Sequence, residues 1–595
     1  MLLVMACACS SPSSIAAPPA SDAQPALDSG NQVLQIVPDP AVIHLVDGVA
    51  PQQSFEAYFR YADGTRRNVT RDVSWELSSD ALGTLSGPTF TASTASGGRI
   101  TLTARMDSYF GLAEIQVSET FLRQGVGVDE LARFPLDEAS AINPILLHPE
   151  NESMLPPNLH GVEWIFRTQS HSSFELRFWG PGLELREYFH CRPLDGPCLH
   201  PIALDIWRRI SAGGRAGTQI SYKLRALGAE GRTALGATET RTFTLSEEAI
   251  EGGIYYWDGG AGDILRYEFG SDSDNAELFL DGLPGSPDTC IGCHSFARDG
   301  SRLSVITSDT IGTRVGLTTL RTEDRSIEVE YPTRTGRLGN YWALSPDGSQ
   351  LATVTAEGLI IRDPADSSVR QSFSVPRGSM AAFSEDGESI AYSRATDSDT
   401  ETEPQRALGW IRRDADREWN FSRDLLSPNL EAGSVYAPDW SPGSTWIASI
   451  RSARTDSRYG APAGLISLVN TDTGEEIMPE ALGDGTENFP RWDPSPYLHR
   501  EESLFWLVYS SRRELESLLM TTPRAQLWLT SFRPERIAEG ESPLSPPIHL
   551  PFQDWNRDCL MGRLVTHIQR KPCDEDPDCP SGERCLEGVC RPIVD

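Results

Sequence analysis

The sequence has little positive charge and no long apolar stretch. Its 52 Lys and Arg residues face 84 Asp and Glu residues, which gives a formal net charge of -32. Nucleic acids and anionic lipid surfaces are bound by clustered Lys and Arg, so this balance argues against both partners. After the first few residues, no run approaches the ~18 apolar residues that a membrane span needs. We therefore expect membrane attachment only through a lipid anchor.

Common catalytic motifs are also missing from the sequence. It contains no nucleophile elbow, no phosphate-binding Walker loop and no His-Glu-x-x-His zinc motif. The sequence thus does not decide whether the protein is an enzyme, and the missing motifs argue against enzymatic activity.

Composition indicates a multidomain, mostly β protein. A chain of 595 residues is too long for one core and suggests about three or four domains. Hydrophobic residues make up 39% and aromatic residues 8%, as in ordinary globular proteins. Fifty glycines and 42 prolines suit short strands joined by turns better than long helices. We predict an all-β fold.

Eleven cysteines fall into four local groups. These groups are Cys7 and Cys9, then Cys191 and Cys198, then Cys290 and Cys293, and finally Cys559, Cys573, Cys579, Cys585 and Cys590. Tight local clusters of this kind are typical of an oxidising compartment.

The N-terminal residues 1–9 suggest an export signal. Met1–Ser11 resembles the end of a bacterial lipoprotein signal, in which a small residue precedes the cysteine that becomes lipidated. Cys7 fits this pattern slightly better than Cys9, although a basic region is missing and the apolar run is short, so we expect the signal to begin upstream. The alternative is a frayed N-terminus with two incidental cysteines. Residues 10–30 are rich in Ser, Ala, Pro and Asp and read as a flexible linker.

Two segments of short alternating strands come after the linker. Residues 31–120 contain Val33–Pro38, Phe55–Phe59 and Arg99–Ala104, and they resemble the bacterial Ig-like group 2 domain. That family implies a spacer or adhesive module, with Trp75 in its core. Residues 130–250 read as a second Ig-like or fibronectin-like sandwich.

Cys191 and Cys198 flank a turn-forming hexapeptide in the second sandwich, which favours a local disulfide. A metal site built from His190, Cys191, Cys198 and His200 is the alternative.

A repeat fills residues 251–568. Ser345-Pro346-Asp347-Gly348 lies between two strands, and Ala297-Arg298-Asp299-Gly300, Ser384-Glu385-Asp386-Gly387 and Ser441-Pro442-Gly443 recur at the same place. The spacing of about 40 to 55 residues is that of propeller blades. The repeats resemble those of TolB-type periplasmic β-propellers. This implies six or seven blades, with Gly253–Trp257 in the first and residues near 550–568 closing the ring.

The first repeat carries the only obvious chemistry. Cys290-x-x-Cys293-His294 is the attachment signature of haem c, with two thiols for the vinyl groups and His294 as iron ligand. The alternatives are a Cys290–Cys293 disulfide that caps a blade loop and a zinc or other metal site. If haem binds, Met380, Met561 or His567 is the candidate sixth ligand. We favour Met561 or His567 because the ring-closing segment should return near the first blade.

Residues 569–595 form a small cysteine-rich tail. Four cysteines in a short, glycine-containing segment imply two disulfides. Of three possible pairings, we favour Cys573 with Cys585 and Cys579 with Cys590, which leaves Cys559 over.

Together these features resemble the envelope lipoproteins of myxobacteria. They predict an exported, outer-membrane-anchored protein whose haem-bearing propeller acts in electron transfer or redox sensing. The competing hypothesis is a non-redox scaffold that binds an envelope protein or glycan through the propeller face.

Overall fold

The computed structural model describes most of the chain between residues 33 and 592. Outside the description lie 1–32, 47–48, 50, 62–63, 94–96, 135–142, 169–170, 193–195, 214–216, 229–234, 287–288, 309–314, 333–340, 355–357, 374–377, 397–404, 430–432, 453–463, 480–481, 483–484, 521, 580–582, 587 and 593–595. The predicted lipidation sites Cys7 and Cys9 and the predicted linker 10–30 are therefore outside the described residues.

The first compact unit is made of short antiparallel strands. It comprises the described parts of Met1–Ile43, Ala50–Ala95 and Arg99–Val117. One sheet joins Val33–Val37, Glu56–Arg60 and Arg66–Asn68, and another joins Gln52–Ser54, Thr89–Ala92 and Gly83–Ser86. The remaining strands are Ala41–Val46, Ser74–Leu77, Gly98–Met106 and Tyr109–Leu122. Trp75 is half-buried and donates a hydrogen bond to the carbonyl of Thr70 at 3.2 Å, which suits a structural residue. The Ig-like assignment stays a prediction.

The second unit begins with a two-sheet segment. The larger sheet joins Ser153–Leu155, Arg241–Leu245, Gln219–Gly228, His171–Gly180 and Leu183–His190, with Leu235–Ala237 at its side. The smaller sheet joins Ile145–His148, Glu163–Arg167 and Cys198–Pro201. Two helices accompany them, Val128–Leu131 and Leu204–Gly213. The sequence analysis missed the longer helix, which buries Ile206, Trp207 and Ile210.

This segment and the propeller share one hydrophobic core. Trp164 and Trp207 of the two-sheet segment belong to the same buried cluster as Trp506, Leu527 and Leu550 of the propeller. Polar contacts cross the same boundary, because His160 bonds the carbonyl of Ser271 at 2.8 Å. The segment is thus packed onto the propeller as one body.

Six sheets, each with four strands in its main path, form the propeller in the described part of the chain, which is consistent with the expected six or seven blades. Numbered in ring order from the innermost strand outward, blade 1 joins Cys559–Val565, Gly253–Asp258, Asp263–Glu268 and Glu277–Leu280. Blade 2 joins Cys290–Phe296, Arg302–Ser308, Val315–Arg321 and Ile327–Pro332. Blade 3 joins Tyr341–Leu344, Leu351–Val354, Leu359–Arg362 and Val369–Phe373. Blade 4 joins Gly378–Phe383, Ser389–Ala395, Arg406–Arg413 and Trp419–Leu426. Blade 5 joins Ser434–Trp440, Trp446–Ser452, Leu465–Asn470 and Glu476–Ile477. Blade 6 joins Asn488–Trp492, Glu502–Ser511, Gln526–Phe532 and Ile548–His549, with Tyr497–His499 and the helices Glu514–Leu519 and Glu535–Glu539 beside it.

The last propeller strand closes the ring. Cys559–Val565 pairs antiparallel with Gly253–Asp258, so that Gly253 lies opposite Val565 and Asp258 opposite Cys559. The six innermost strands contact one another in ring order. The all-β class, the propeller and the predicted ring closure are therefore confirmed.

The Asp-Gly pairs are turns between the first and second strands of a blade. Gly300, Gly348 and Gly387 have φ of 74°, 64° and 68°, which glycine adopts without steric cost. The aspartate side chain accepts a local backbone hydrogen bond, as Asp347 does from the amide of Ser349 at 3.0 Å. These aspartates thus serve the turn.

The tail is held by the disulfides that the sequence analysis favours. Cys573 is bonded to Cys585 and Cys579 to Cys590, beside the hairpin of Glu583–Leu586 and Val589–Pro592. Among the residues that the structure describes, no helix is both long and apolar enough to cross a membrane.

We predict that Gly300→Ala destabilises the protein more than Gly474→Ala. Both glycines have nearly the same positive φ, 74° and 75°, so their backbone strain is matched. A Cβ at Gly300 would collide with the carbonyl of His567, just after the ring-closing strand, whereas a Cβ at Gly474 would meet nothing within 4 Å. Overpacking of this kind costs about 1–3 kcal/mol.

The measurement is the urea midpoint followed by tryptophan fluorescence. Equal loss of stability in the two variants would contradict the docking of the ring-closing segment against blade 2.

Candidate functional site

A cavity lies where the innermost strands of all six blades meet. Its volume is about 80 Å³. The lining residues are Cys293, His294, Ser295, Arg298, Trp342, Ala343, Leu344, Pro346, Met380, Ala381, Ala382, Phe383, Asp439, Phe489, Arg491, Met561 and Arg563. Two residues of the predicted haem motif therefore face the centre of the ring.

A β-bulge brings Cys293 and His294 to the same cavity. The register shifts between Ile291 and His294, so Gly292 and Cys293 together oppose the single residue Ile306. Neighbouring side chains on a regular strand point to opposite faces, and an extra residue breaks that alternation. The bulge thus allows two adjacent residues of blade 2 to line one space.

The imidazole of His294 is buried and unsatisfied. The residue is 8% exposed, and neither ring nitrogen makes a hydrogen bond of good geometry among the described residues, although the backbone of Met561 is close enough for a weak one. Burial lowers the pKa of His294 to about 3; the nearby backbone of Met561 opposes this shift, and the charges of Arg491 and Arg563 add to it. The ring is therefore neutral at ordinary pH, which is the state in which histidine binds a metal.

Cys293 carries a free thiol in the structure. Burial raises the pKa of Cys293 to about 11, so the thiol stays protonated at neutral pH until an electrophile or a metal displaces its proton. The backbone of Cys290 begins the same strand, but its side chain lies outside the described residues. The free thiol of Cys293 differs from the disulfide alternative of the sequence analysis.

Two methionines enter the cavity from strained backbone positions. Met380 has φ of 46° and Met561 has φ of 56°, and each lies at a register shift of its innermost strand. Ala437 and Phe489 repeat this geometry in blades 5 and 6, with φ of 50° and 48°. Such conformations cost about 1–3 kcal/mol each and cluster at ligand sites. The innermost strands of blades 1, 4, 5 and 6 thus each contain a bulge with a strained residue.

Of the three candidates for a sixth ligand, Met380, Met561 and His567, the last two were favoured, and the structure separates them. Met561 lines the cavity with His294. His567 is exposed beyond the end of the strand, bonds the hydroxyl of Thr566 at 3.0 Å and does not line the cavity. The choice of His567 is therefore corrected, because the strand ends before the chain reaches it.

The histidine and cysteine pairs of the two-sheet segment have structural partners. Cys191 and Cys198 form a disulfide, which leaves neither sulfur as a thiolate ligand. His190 lies 3.0 Å from Glu130, and His200 lies 3.0 Å from Glu187. The alternative metal site at these four residues is thus absent from the structure.

Sequence reasoning missed the charged residues of the cavity, which are Arg298, Asp439, Arg491 and Arg563. One signal was available. Arg298 occupies the repeat position at which blades 3 and 5 have Pro346 and Pro442, so the repeat itself marked it as a departure. Arg491 and Arg563 lie on strands that contain a bulge. The alternation of residues in the sequence could therefore not show that their side chains face the cavity.

The uncharged donors of the cavity form a soft set. A thiol, an imidazole and two thioethers are the ligand types that suit iron in cytochromes c and copper(I).

Comparison with known proteins finds only distant similarity to solved structures. No protein-family model and no curated protein matches the sequence. Among solved structures, TolB from Acinetobacter baumannii is similar at 10% identity over 58% of this chain and 79% of that chain, with a TM-score of 0.34. A TolB structure from Agrobacterium tumefaciens has 13% identity, 51% and 89% coverage and a TM-score of 0.30. An oligogalacturonate lyase from Vibrio parahaemolyticus has 14% identity, 48% and 72% coverage and a TM-score of 0.28. Similarity this low carries no argument about function, and the propeller is established by the six sheets and their closure in the structure itself.

We predict that His294→Leu stabilises the protein without haem or metal, whereas His160→Leu destabilises it. The two histidines are similarly buried, at 8% and 6% exposure. His294 has at most a weak hydrogen bond to the backbone of Met561 to lose, and an unsatisfied buried polar group costs about 1–3 kcal/mol. His160 would lose its bond to Ser271.

Urea unfolding of the two variants and the parent protein provides the measurement. A loss of stability in His294→Leu comparable to that in His160→Leu would show that His294 is an ordinary core residue.

Proposed function

We propose that the cavity is a redox metal centre in an exported protein, and that its metal is the iron of haem c joined to Cys290 and Cys293. The observation that carries this proposal is the buried His294 ring, whose nitrogens make no hydrogen bond of good geometry and lie beside a free thiol and two thioethers. A buried polar group without a partner calls for an explanation such as a bound ion or a redox role, and His294 is the one histidine among the described residues for which both ring nitrogens are buried without a well-formed hydrogen bond.

The residues present fit the ligand chemistry of such a group. Cys290 and Cys293 would hold it covalently, His294 would bind the iron, and Met561 would supply the other iron ligand, with Met380 as the alternative. When bound, haem supplies one-electron transfer. Arg491 and Arg563 lie close enough to lower the pKa of His294, so their positive charges would favour the reduced metal. Burial of the site would limit access of water.

The size of the cavity favours a second candidate. Its volume of about 80 Å³ is smaller than a haem macrocycle but ample for one ion. Copper(I) prefers thiolate, thioether and imidazole ligands, which Cys293, Met380, Met561 and His294 would supply. Both candidates place a redox-active metal on His294 and a methionine, so the redox function does not depend on the choice between them.

Envelope location is part of the proposal. The resemblance of residues 1–9 to a lipoprotein signal supports export, with Cys7 or Cys9 as the anchor and residues 10–30 as the spacer. Three disulfides also suit an oxidising compartment outside the cytoplasm. In this setting the propeller would pass electrons to, or sense the redox state of, an envelope partner.

The binding-scaffold hypothesis remains the alternative, without the Cys290–Cys293 disulfide that it invoked.

The first test is an absorption spectrum of protein made with its signal in a host that matures cytochromes c. We expect sharp α and β bands after reduction, a chromophore that resists acid–acetone extraction, and loss of both in the double variant Cys290→Ala/Cys293→Ala. Met561→Leu should shift the reduction potential, while the matched variant His567→Leu should not. A colourless protein from a competent host would overturn the haem proposal.

The second test asks for copper in protein made without haem. We expect one equivalent of copper(I) in competition with a chromophoric chelator, and weaker binding in Cys293→Ser, Met380→Leu and Met561→Leu. Thr566→Val, next to the site but outside the cavity, is the control. If neither haem nor copper binds, the redox function fails and the scaffold hypothesis takes its place.

A further inference from the structure

The cavity holds more positive than negative charge. Arg298 follows the innermost strand of blade 2, Arg491 lies in that of blade 6, and Arg563 lies in that of blade 1. Asp439 of blade 5 is the only acidic residue among the residues that line the cavity. Three guanidinium groups thus face one carboxylate, in a protein whose overall charge is strongly negative.

Asp439 does not satisfy the three arginines. One carboxylate oxygen accepts from Nη1 of Arg563 at 2.8 Å, and the other accepts from the amide of Trp492 at 2.9 Å. Both oxygens are therefore occupied. Arg298 and Arg491 make no ion pair with Asp439 in the described structure.

The remaining contacts of the arginines are with neutral groups. Nη2 of Arg298 donates to the carbonyl of Trp440 at 2.8 Å, but its Nη1 is buried without a partner among the described residues. Nη1 of Arg491 donates to the carbonyl of Pro490 at 2.8 Å. Nε of Arg563 is likewise buried and unpartnered. Nη1 of Arg491 also lies 3.4 Å from the carbonyls of Ala437 and Pro438, so the nitrogens that lack an acceptor among the described residues are Nη1 of Arg298 and Nε of Arg563.

This arrangement is costly without a ligand. Removing a charge from water costs several kcal/mol, which a paired counter-charge repays. Burial lowers the pKa of Arg491 to about 10 and also lowers the pKa of Arg298, and both side chains remain charged at neutral pH. Glu385 and Asp493 attract Arg298 more weakly than Asp439 does, and neither lines the cavity. No residue in the described part of the chain compensates this excess charge within the cavity.

We propose that Arg298, Arg491 and Arg563 form a binding site for a small dicarboxylate in the propeller cavity. Guanidinium groups bind carboxylates through paired N–H donors, and an excess of two positive charges matches two carboxylates. A volume of 80 Å³ corresponds to on the order of five to eight water positions, which is the size of oxalate or malonate. The same carboxylate chemistry has a second source, the two propionates of a haem.

The experiment measures anion binding by protein made without haem. Thermal unfolding and titration calorimetry are followed with oxalate and malonate, with sodium chloride of equal ionic strength as the reference. We expect a saturable rise in Tm, because a ligand that binds only the folded state stabilises it. Arg298→Gln and Arg491→Gln should weaken binding by about 10- to 100-fold.

Three further variants make the test specific. Arg321→Gln is the matched control, because Arg321 is an exposed blade residue with 62% side-chain exposure. Arg491→Lys keeps the charge and should bind more weakly than the parent but more tightly than Arg491→Gln. Asp439→Asn removes the internal competitor and should bind dicarboxylate more tightly. This last variant keeps the proposal falsifiable if an arginine variant fails to fold.

The two sources of carboxylate give different outcomes. Stabilisation of the haem-free protein by oxalate or malonate, lost in Arg491→Gln, identifies a free dicarboxylate, whether or not haem ever binds. No anion effect on the haem-free protein, but a changed reduction potential of the haem protein in Arg298→Gln and Arg491→Gln alone, identifies the propionates. No saturable anion effect together with unchanged haem properties, or an equal effect in all variants including Arg321→Gln, would overturn the proposal.

Discussion

Closure of the ring by the strand Cys559–Val565 is the constraint on which the rest of the propeller depends. This strand comes from the end of the repeat and completes a blade whose other three strands come from its beginning. The pairing satisfies the inner edge of Gly253–Asp258, which would otherwise expose its backbone hydrogen-bonding groups. It also delivers Met561 and Arg563 to the cavity that His294 enters from blade 2. Closure of the ring and assembly of the cavity therefore depend on the same strand.

The repeat was readable because each blade reuses the same local chemistry. A glycine with positive φ after an aspartate fixes each turn, and alternating apolar residues fix each strand, so blades and closure could be predicted from sequence. The shared core was not readable, since Trp164 and Trp506 look like members of two separate hydrophobic patterns. The helix Leu204–Gly213 was missed because it interrupts a run of strands and is short.

The site was only half predictable, for a different physical reason. Cys293 and His294 were marked by the motif, and Met561 by the expected return of the chain. The arginines of the cavity came from three blades, and no local pattern connects Arg298 with Arg491. Bulges decide which side chains face the centre, and a single extra residue reverses the facing of every later residue in the strand. His567 was chosen wrongly for a different reason. It lies two residues beyond the end of the strand, and this distance is enough to place it outside the cavity.

The order of the blades along the chain has a consequence for how a large group reaches the centre. Blade 2, with its thiols, is synthesised early, and the strand that seals the ring is synthesised last. Without that strand, the cavity would lack the side that blade 1 provides between blades 6 and 2. The order of synthesis therefore governs when a group could reach the centre, whereas the finished volume of about 80 Å³ governs what the centre can hold. The innermost strand of blade 1 thus completes the cavity only after the other blades have been synthesised.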